Sequence, residues 1–208
     1  MSGAFVVHRS DIMNGLLEKF NEYKDISNYR IRYTLENGEK IDFKLKQTDF
    51  PHLIGLHKLI DIPLVGQFND LSNTTVSAKF LISKIKKESQ LTERIIKDSV
   101  YFPMIKQRYY NFSRENLLTL AYTDAIVDFN AALIGSKLRG DCILFENQKS
   151  KGYNYLSIAK DEHNNRYAES FFYNSSDSYI RNQKVVKVDK VEIFDKEGKL
   201  YFADMIAK

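Results

Sequence analysis

A short segment around residue 55 carries the side chains best suited to acid–base chemistry. Residues 50–58, with the sequence FPHLIGLHK, contain two of the chain's four histidines, His52 and His57, and end in Lys58. The ordinary pKa of histidine lies close to neutrality, so its imidazole can accept or donate a proton under physiological conditions. The segment could therefore supply a general base together with a cation that stabilises a negatively charged transition state.

The segment is predicted to form a short helix with His52 facing inward. Pro51 is favourable in the first turn of a helix, and Asp49 could cap its free amide groups. At about 100° per residue, His52 shares a face with Leu56, toward the interior or a cleft wall, whereas Lys58 projects about 120° away. The positive end of a helix disfavours imidazolium, so His52 would stay neutral and able to accept a proton.

Gly55 is the unusual residue within this predicted helix. Glycine costs roughly 1 kcal/mol relative to alanine in a helix, so its presence predicts that another backbone or a ligand approaches closely there. A purely structural interpretation of the segment stays open. In that interpretation His52 is a hydrogen-bonded core histidine, and His57 and Lys58 face solvent.

Period-two patterns predict an antiparallel sheet, which begins with a hairpin before the histidine segment. Residues 29–35 (YRIRYTL) and 40–46 (KIDFKLK) alternate in polarity on either side of Asn37-Gly38. Asn-Gly is a strong signal for a tight hairpin turn. After residue 136 the pattern predicts further strands at residues 138–146, 153–159, 166–173, 184–194 and 200–203.

Helical spacing dominates most of the remaining chain. Residues 10–23 predict an amphipathic helix, and residues 74–98 and 113–126 predict further helices. Helices followed by antiparallel strands indicate an α+β fold. We therefore expect one domain over residues 1–208, with N-terminal helices and a hairpin, a helical elaboration at about 74–126, and a C-terminal antiparallel sheet packed against the histidine helix.

Composition excludes several kinds of site. Cys142 is the only cysteine, which rules out an internal disulfide, and its apolar surroundings predict a buried thiol. The chain contains no glycine-rich nucleotide-binding motif, and His52 and His57 are five positions apart, which does not suit the i, i+4 spacing of helical zinc ligands. We expect no metal and no cofactor.

Neither the termini nor the interior of the chain suggests a membrane protein. No apolar run approaches the roughly 18 residues that a spanning helix needs, and the N-terminus lacks a hydrophobic signal core. A cytoplasmic protein is therefore expected.

The distribution of positive charge permits binding to a polyanion. The formal net charge is +4, and basic residues concentrate at residues 79–108 and 181–190. Where they adjoin aromatic residues, as in residues 106–110 (KQRYY), they could contact phosphates while the rings stack on bases. The alternative is that both stretches are solvated faces.

Residues 50–58 resemble the signature of the fourth phage-associated subfamily of barnase–EndoU–colicin–RelE-like nucleases. Residues 139–146 (RGDCILFE), 153–156 (YNYL) and 166–172 (RYAESFF) are similar to the strand-rich half of the same domains. The resemblance extends over about residues 10–195. It implies a toxin-type endoribonuclease, encoded by a phage or mobile element, that cleaves RNA without a metal. In such cleavage general acid–base catalysis transfers the phosphoryl group to the 2′-hydroxyl.

The nuclease interpretation assigns roles to individual residues. His52 is the candidate general base, Lys58 the candidate for stabilising charge on the phosphate, and Ser170 the candidate for orienting it. Further substrate-binding candidates are His57, Arg139, Tyr153 and Tyr167. Structural alternatives exist for these residues, because a strand serine, a strand-end arginine or a cross-strand aromatic pair needs no function.

Regular alternation along the strand predicted at residues 166–173 sets the expected direction of Ser170. Arg166, Ala168 and Ser170 should point to one face of the sheet, and Tyr167 and Glu169 to the other.

Other functions stay open alongside the nuclease hypothesis. The chain could be a catalytically inactive module that binds RNA or a protein, or an interaction protein acting in phage defence or counter-defence. The expected partners are RNA, with tRNA as one candidate, and an antitoxin or immunity protein. The oligomeric state is left open. Replacing His52 with alanine should abolish cleavage in an active nuclease while leaving folding and binding intact.

Overall fold

A curved sheet forms the frame on which the other elements pack. The computed structural model describes residues 15–69, 75–88, 90–118, 122–147 and 152–205. Within these ranges the strands are β1 Arg30–Leu35, β2 Lys40–Lys44, β3 Asp124–Val127, β4 Cys142–Asn147, β5 Tyr153–Lys160, β6 Arg166–Asn174, β7 Lys184–Phe194 and β8 Leu200–Met205.

The strand pairing nearly closes the sheet on itself. The order is β1-β2-β6-β5-β4-β3-β7-β8, and β1 also pairs with β7. This second pairing joins β1 through β7 in a ring and leaves β8 on the outer edge of β7. The described pairs are antiparallel except for the parallel contact of β2 with β6, where Lys44 lies opposite Tyr167. Because β2 and β6 share only this described register pair, the ring is weakest there.

Helices cover the concave side of the sheet. The α-helices are α1 Leu16–Ile26, α2 Phe50–Leu53, α3 Pro63–Asn69, α4 Ala78–Lys86, α5 Glu93–Lys97, α6 Phe102–Asn111 and α7 Arg114–Leu118. Short 3-10 helices occupy Gln47–Asp49, Leu56–Lys58 and Ala131–Ile134. Both α2 and α6 pack against β6, so this strand meets two separate helical segments.

Apolar side chains fix β6 from both faces. In the main core the ring of Phe50 contacts those of Phe20 and Phe112 at 5.2 and 5.5 Å, and Phe112 reaches Phe171 of β6 at 5.8 Å. On the opposite face Phe172 belongs to a smaller buried cluster. That cluster comprises Ile126, Phe129, Ile143, Phe145, Tyr155 and Phe172. Burial on both faces provides the driving force that holds this strand in place.

The α+β class predicted from the sequence is confirmed, with helices mainly in the first half and strands mainly in the second. The predicted hairpin is confirmed as β1 and β2, and Gly38 in the connecting turn has a φ of +82°. The predicted packing of the C-terminal sheet on the histidine segment is confirmed by the contact of α2 with β6.

The predicted helix at residues 113–126 is wrong at its C-terminal end. Residues 119–121 lie outside the described residues, and Asp124–Val127 form β3, between β4 and β7, instead of a helix. All positions of β3 are buried, so its sequence lacks the alternation that marks a half-exposed strand. A short apolar run of this kind does not distinguish a strand from a helix. At the other end of the chain, residues 10–14 of the predicted first helix lie outside the described residues.

The predicted burial of Cys142 is confirmed. Its side chain is only 2% exposed, and burial raises the pKa of the thiol far above its usual range. The thiol is therefore structural, because a nucleophilic cysteine needs a lowered pKa and access to substrate. Among the described residues, no helix is long and apolar enough to cross a membrane.

Candidate active site

The histidine segment is not the single helix that its sequence predicts. Helix α2 ends at Leu53, Gly55 adopts a left-handed conformation with a φ of +92°, and the chain then enters the 3-10 helix Leu56–Lys58. Side chains therefore do not follow helical spacing across the glycine. His52 is exposed and Leu56 is buried, so the predicted common face does not exist.

Gly55 is required by its contacts as well as by its backbone. A Cβ atom built on Gly55 would lie 2.9 Å from Cδ of Arg108 and 2.9 Å from Cγ2 of Ile105, both in α6. The close approach that the glycine predicts is thus made by side chains from a distant helix. Since a left-handed backbone also disfavours residues with a Cβ, glycine is favoured at this position on two independent grounds.

Asp49 does not cap α2 as predicted. Its carboxylate accepts a hydrogen bond from the backbone N–H of Lys46 at 2.9 Å and so closes the turn that precedes α2. Burial raises the pKa of Asp49 to about 6, although the hydrogen bond and the charge of Lys46 act in the opposite direction. Pro51 does lie in the first turn, where its missing N–H removes no helical hydrogen bond.

The break at Gly55 brings the two histidines together. The imidazole rings of His52 and His57 stack with their centroids 4.0 Å apart and their planes 13° from parallel. Burial lowers the pKa of His57 to about 3, with the charges of His52, Lys58 and Arg108 adding to the effect. The pKa of His52 is also lowered, first by partial loss of hydration and then by the charge of Arg108. Both rings are therefore neutral near pH 7.

The predicted neutrality of His52 therefore stands, but its cause is different from the one predicted. With only four residues, α2 is too short to give a substantial helix dipole. The cause is partial loss of hydration, although the residue is still exposed, combined with the neighbouring positive charge of Arg108.

Arg108 contributes a largely buried cation to the same place. Burial lowers the pKa of its guanidinium to about 10, so the group is still charged at neutral pH. Its Nη1 atom is shielded from solvent and has no hydrogen-bond acceptor among the described residues. A buried cation without a close carboxylate partner is costly, and an anion bound beside it would relieve that cost.

A β-bulge in β6 determines which side chains face the site. Ser157 of β5 lies opposite Ser170, but the next residue, Ile158, lies opposite Ala168, which leaves Glu169 as the extra residue. Because Ile158 and Ala168 both belong to the main core, Ser170 must lie on the opposite face. The predicted alternation, which placed Ala168 with Ser170, is therefore wrong. Bulges redirect side chains in this way and often occur beside active sites.

The carboxylate of Glu169 is held on the same face as Ser170. It accepts hydrogen bonds from the backbone N–H of Arg139 at 2.9 Å, from the N–H of Gly140 at 2.9 Å and from the hydroxyl of Ser157 at 2.9 Å. Its negative charge partly opposes the lowering of the pKa of His52. Glu169 is thus a fixed acceptor beside the histidine pair.

These elements enclose an open cleft of about 500 Å³ between the helices and the outer face of β6. Four residues proposed from the sequence line it, namely His52, His57, Lys58 and Ser170. The other lining residues are Arg108, Ser136, Lys137, Leu138, Glu169, Phe172, Tyr173, Asn174 and Tyr179. The break at Gly55 explains why Lys58 shares the cleft with His52, although regular helical geometry would separate them.

Three other candidates lie elsewhere. Arg139 has an exposed side chain that does not line the cleft, and only its backbone N–H contributes, through Glu169. The ring of Tyr153 packs against Phe145 and Tyr155 at 6.2 and 5.9 Å, as expected for a cross-strand aromatic pair. Tyr167 lines a separate groove at the contact between β2 and β6.

Sequence reasoning missed the participation of Arg108 and Glu169 in the cleft. Arg108 lies in the basic and aromatic run KQRYY, and Gly55 signalled a close approach by some other group. The two signals could not be connected, because the residues are far apart in the chain. Glu169 was predicted to face away from Ser170, and no sequence signal marked the bulge. Within the described ranges, no group of three or more His, Cys, Asp or Glu side chains could hold a metal ion.

Fold and cleft together define a class of protein. It is an α+β domain with an open cleft that is lined by histidine and arginine side chains and lies beside a strand with a β-bulge. Comparison with family models identifies the particular family. Residues 15–200 match the family described as phage-Barnase-EndoU-ColicinE5/D-RelE like nuclease 4, and the chain belongs to that family. Membership supports a nuclease function and a nucleic acid substrate. No curated protein and no solved structure gives a match.

Proposed function

We propose that the protein is a metal-independent endoribonuclease that cleaves RNA in the cleft at β6. The observation that carries the proposal is the neutral, stacked pair of His52 and His57 beside the buried cation Arg108, in a cleft shared with Ser170. Neutral imidazole is the form that accepts a proton, and a guanidinium nitrogen without an acceptor among the described residues is suited to bind a phosphate. This combination supports the roles of general base and phosphate-binding group that we assign to the cleft.

In the proposed reaction, His52 removes the proton from a 2′-hydroxyl. The 2′-oxygen attacks the adjacent phosphorus, and the bond from phosphorus to the 5′-oxygen breaks. We assign the proton that the leaving oxygen takes to the ammonium group of Lys58, which lies at the exposed edge of the cleft. The products are a 2′,3′-cyclic phosphate and a 5′-hydroxyl, and solvent restores both side chains.

The remaining groups stabilise charge as it develops. Arg108 and the hydroxyl of Ser170 bind the phosphate oxygens, where fixed donors are most effective in the transition state. Glu169 stabilises the imidazolium formed on His52, as a carboxylate does beside a catalytic histidine. Its three hydrogen bonds hold its carboxylate in place before the substrate arrives.

Cleavage of a labelled single-stranded RNA in the presence of EDTA tests the proposal. Wild-type protein should generate cyclic phosphate termini, His52→Ala should lose cleavage, and a 2′-deoxy substitution at the cleaved nucleotide should block it. His163→Ala is the matched control, because His163 is exposed and lies outside the cleft. Cleavage of the 2′-deoxy substrate, or full activity of His52→Ala, would contradict the proposed chemistry.

The biological role that we propose is that of a toxin encoded by a phage or mobile element, with an antitoxin or immunity protein as its partner. The phage association in the description of the family supports this role. Expression of wild-type protein should arrest bacterial growth, and expression of His52→Ala should not. RNA binding without cleavage or growth arrest would instead identify a catalytically inactive binding module.

A further inference from the structure

A second groove lies on the outer face of the sheet, where the hairpin of β1 and β2 meets the hairpin of β5 and β6. It has a volume of about 750 Å³, within the range of roughly 300–1,000 Å³ typical of ligand sites. The groove forms where β2 contacts β6 weakly. Lys44 and Tyr167 are the one described pair of residues between these strands. Lys44 is the last residue of β2 and Tyr167 the second residue of β6, so the two strands are paired only where one ends and the other begins.

Positive side chains dominate the walls of this groove. The basic lining residues are Arg30, Lys44, Lys46, Lys160 and Arg166. The acidic lining residues are Asp42 and Asp161, and both are already engaged. Asp42 pairs with Arg32 at 2.7 Å and with Arg30 at 3.7 Å, and Asp161 accepts hydrogen bonds from the backbone N–H groups of His163 and Asn165 in its own turn. The acidic groups therefore leave part of the positive charge of the groove uncompensated.

Lys44 and Lys46 are the groove cations that are available to a ligand, although the charge of Lys46 also acts on Asp49. Both are exposed, lie two positions apart on the same face, and form no ion pair with a described residue. By contrast, Lys160 and Arg166 share Asp141 at 2.6 and 3.4 Å. The groove thus combines three cations that contact other groups of the fold, Arg30, Lys160 and Arg166, with two exposed lysines.

The arginines of the groove are held in place before any ligand binds. The guanidinium of Arg30 lies over the ring of Phe194 at 4.4 Å, and Arg166 donates to the carbonyl of Lys40 at 2.9 Å. The Nε atom of Arg166 has no hydrogen-bond acceptor among the described residues, and that of Arg30 lies 3.7 Å from Asp42, beyond hydrogen-bonding distance. Fixed guanidinium groups lose little conformational entropy when they bind an oxyanion, which favours phosphate groups as ligands.

The groove and the cleft lie on the same face of one strand. Tyr167 lies opposite Ala159, and Ser170 lies opposite Ser157, so both face the outer side of the sheet. Their partners on β5 are only two positions apart, because Glu169 is the extra residue of the bulge, and two strand positions correspond to about 7 Å. A nucleic acid strand in the cleft could therefore continue into the groove, with a base near the ring of Tyr167 and phosphates near the lysines. Interspersed cations and aromatic rings are typical of sites for single strands.

We propose that this groove is a second phosphodiester-binding site, which holds the part of an RNA strand that flanks the bond in the cleft. The inference rests on the proposed ribonuclease function, because the groove extends the substrate path of the same cleft. Lys44 and Lys46 bind consecutive phosphates, and Tyr167 stacks on a base between them and the cleft.

Fluorescence anisotropy with a labelled single-stranded RNA, over a range of salt concentrations, tests the proposal directly. The groove variant is Lys44→Ala with Lys46→Ala, and the control is Lys196→Ala with Lys199→Ala, which removes the same charge from exposed positions that do not line the groove. Loss of two phosphate contacts should reduce the slope of log affinity against log salt by about 1.4. The control should keep the wild-type slope.

Substrate length separates the groove from the cleft. The groove variant should cleave a dinucleotide at the wild-type rate and a longer RNA at least tenfold less efficiently, through a higher KM. An unchanged salt slope together with unchanged cleavage of the long RNA would contradict the proposed binding site in the groove. The proposed ribonuclease activity would be unaffected by that result. A reduced slope in a protein that cleaves neither substrate would refute the proposed ribonuclease activity but support the groove as a nucleic acid site.

Discussion

The imidazole rings of His52 and His57 stack face to face with centroids 4.0 Å apart, although the two residues are five positions apart in the chain. In a continuous helix this spacing would place them on different faces. The left-handed backbone at Gly55 makes the stacking possible, and Arg108 packs against that glycine. One backbone conformation therefore creates the histidine pair and locates its cationic neighbour.

Gly55→Ala should destabilise the protein more than a comparable glycine substitution elsewhere. At Gly198, where φ is +82° and nothing lies within 4 Å of an added Cβ, alanine should cost only the backbone strain, about 1–2 kcal/mol. At Gly55 the added Cβ also meets Arg108 and Ile105, which should add about 1–3 kcal/mol. Urea unfolding of both variants measures the difference. Equal losses would show that Arg108 and Ile105 move aside freely.

The free energy of unfolding should fall as the pH drops below 6.5, because the pKa of His57 is lowered in the folded protein. Its pKa changes from 6.5 in the unfolded chain to about 3 in the folded protein, so within that window only the unfolded chain binds the proton. The free energy of unfolding should therefore decrease with falling pH by up to about 1.4 kcal/mol per pH unit, and the contribution should be complete only above pH 6.5.

Comparison with His57→Gln isolates this contribution. Urea unfolding at a series of pH values between 7 and about 4.5 should give a shallower pH dependence for the variant than for wild type. Asp49, with its raised pKa, titrates in the opposite sense in an overlapping window, but it is present in both proteins. Parallel curves for the two proteins would contradict the assignment to His57.

Arg108→Met should separate stability from activity. Methionine keeps most of the length of the side chain but removes a largely buried charge whose Nη1 atom has no acceptor among the described residues, so unfolding stability should be unchanged or increased. RNA cleavage should fall about 100- to 1,000-fold, since a donor to the transition state is lost. Arg181→Met is the matched control, because Arg181 is exposed and outside the cleft. Unimpaired cleavage by Arg108→Met would remove Arg108 from the mechanism.

The pKa of His52 should respond in opposite directions to two substitutions. In Arg108→Met it should rise, because the positive charge of Arg108 lowers it. In Glu169→Gln it should fall further, because the negative charge of Glu169 raises it. NMR titration of the His52 imidazole measures both changes, and His163 serves as an internal reference outside the cleft. Shifts of the same sign would mean that rearrangement, rather than charge, controls the pKa.

Local patterns in the sequence determined the fold class and the regular elements. Asn37-Gly38 between two alternating runs predicted the hairpin, and the runs at residues 153–159, 166–173 and 184–194 predicted β5, β6 and β7. Such patterns are readable because a strand buried on one face needs alternating polarity, a requirement that involves only near neighbours. The same reasoning failed for β3, because a strand buried on both faces has no alternation.

The cleft itself was decided by tertiary structure. Residue types singled out His52, His57 and Lys58, but their shared location depends on the left-handed Gly55 and on Arg108, which comes from another helix. Likewise, Ser170 faces the cleft together with Glu169 because of the bulge in β6, and the bulge is defined only by its register with β5. A single sequence carries no periodic signal for contacts between distant segments or for a one-residue change of register. Only the folded structure could therefore reveal this arrangement.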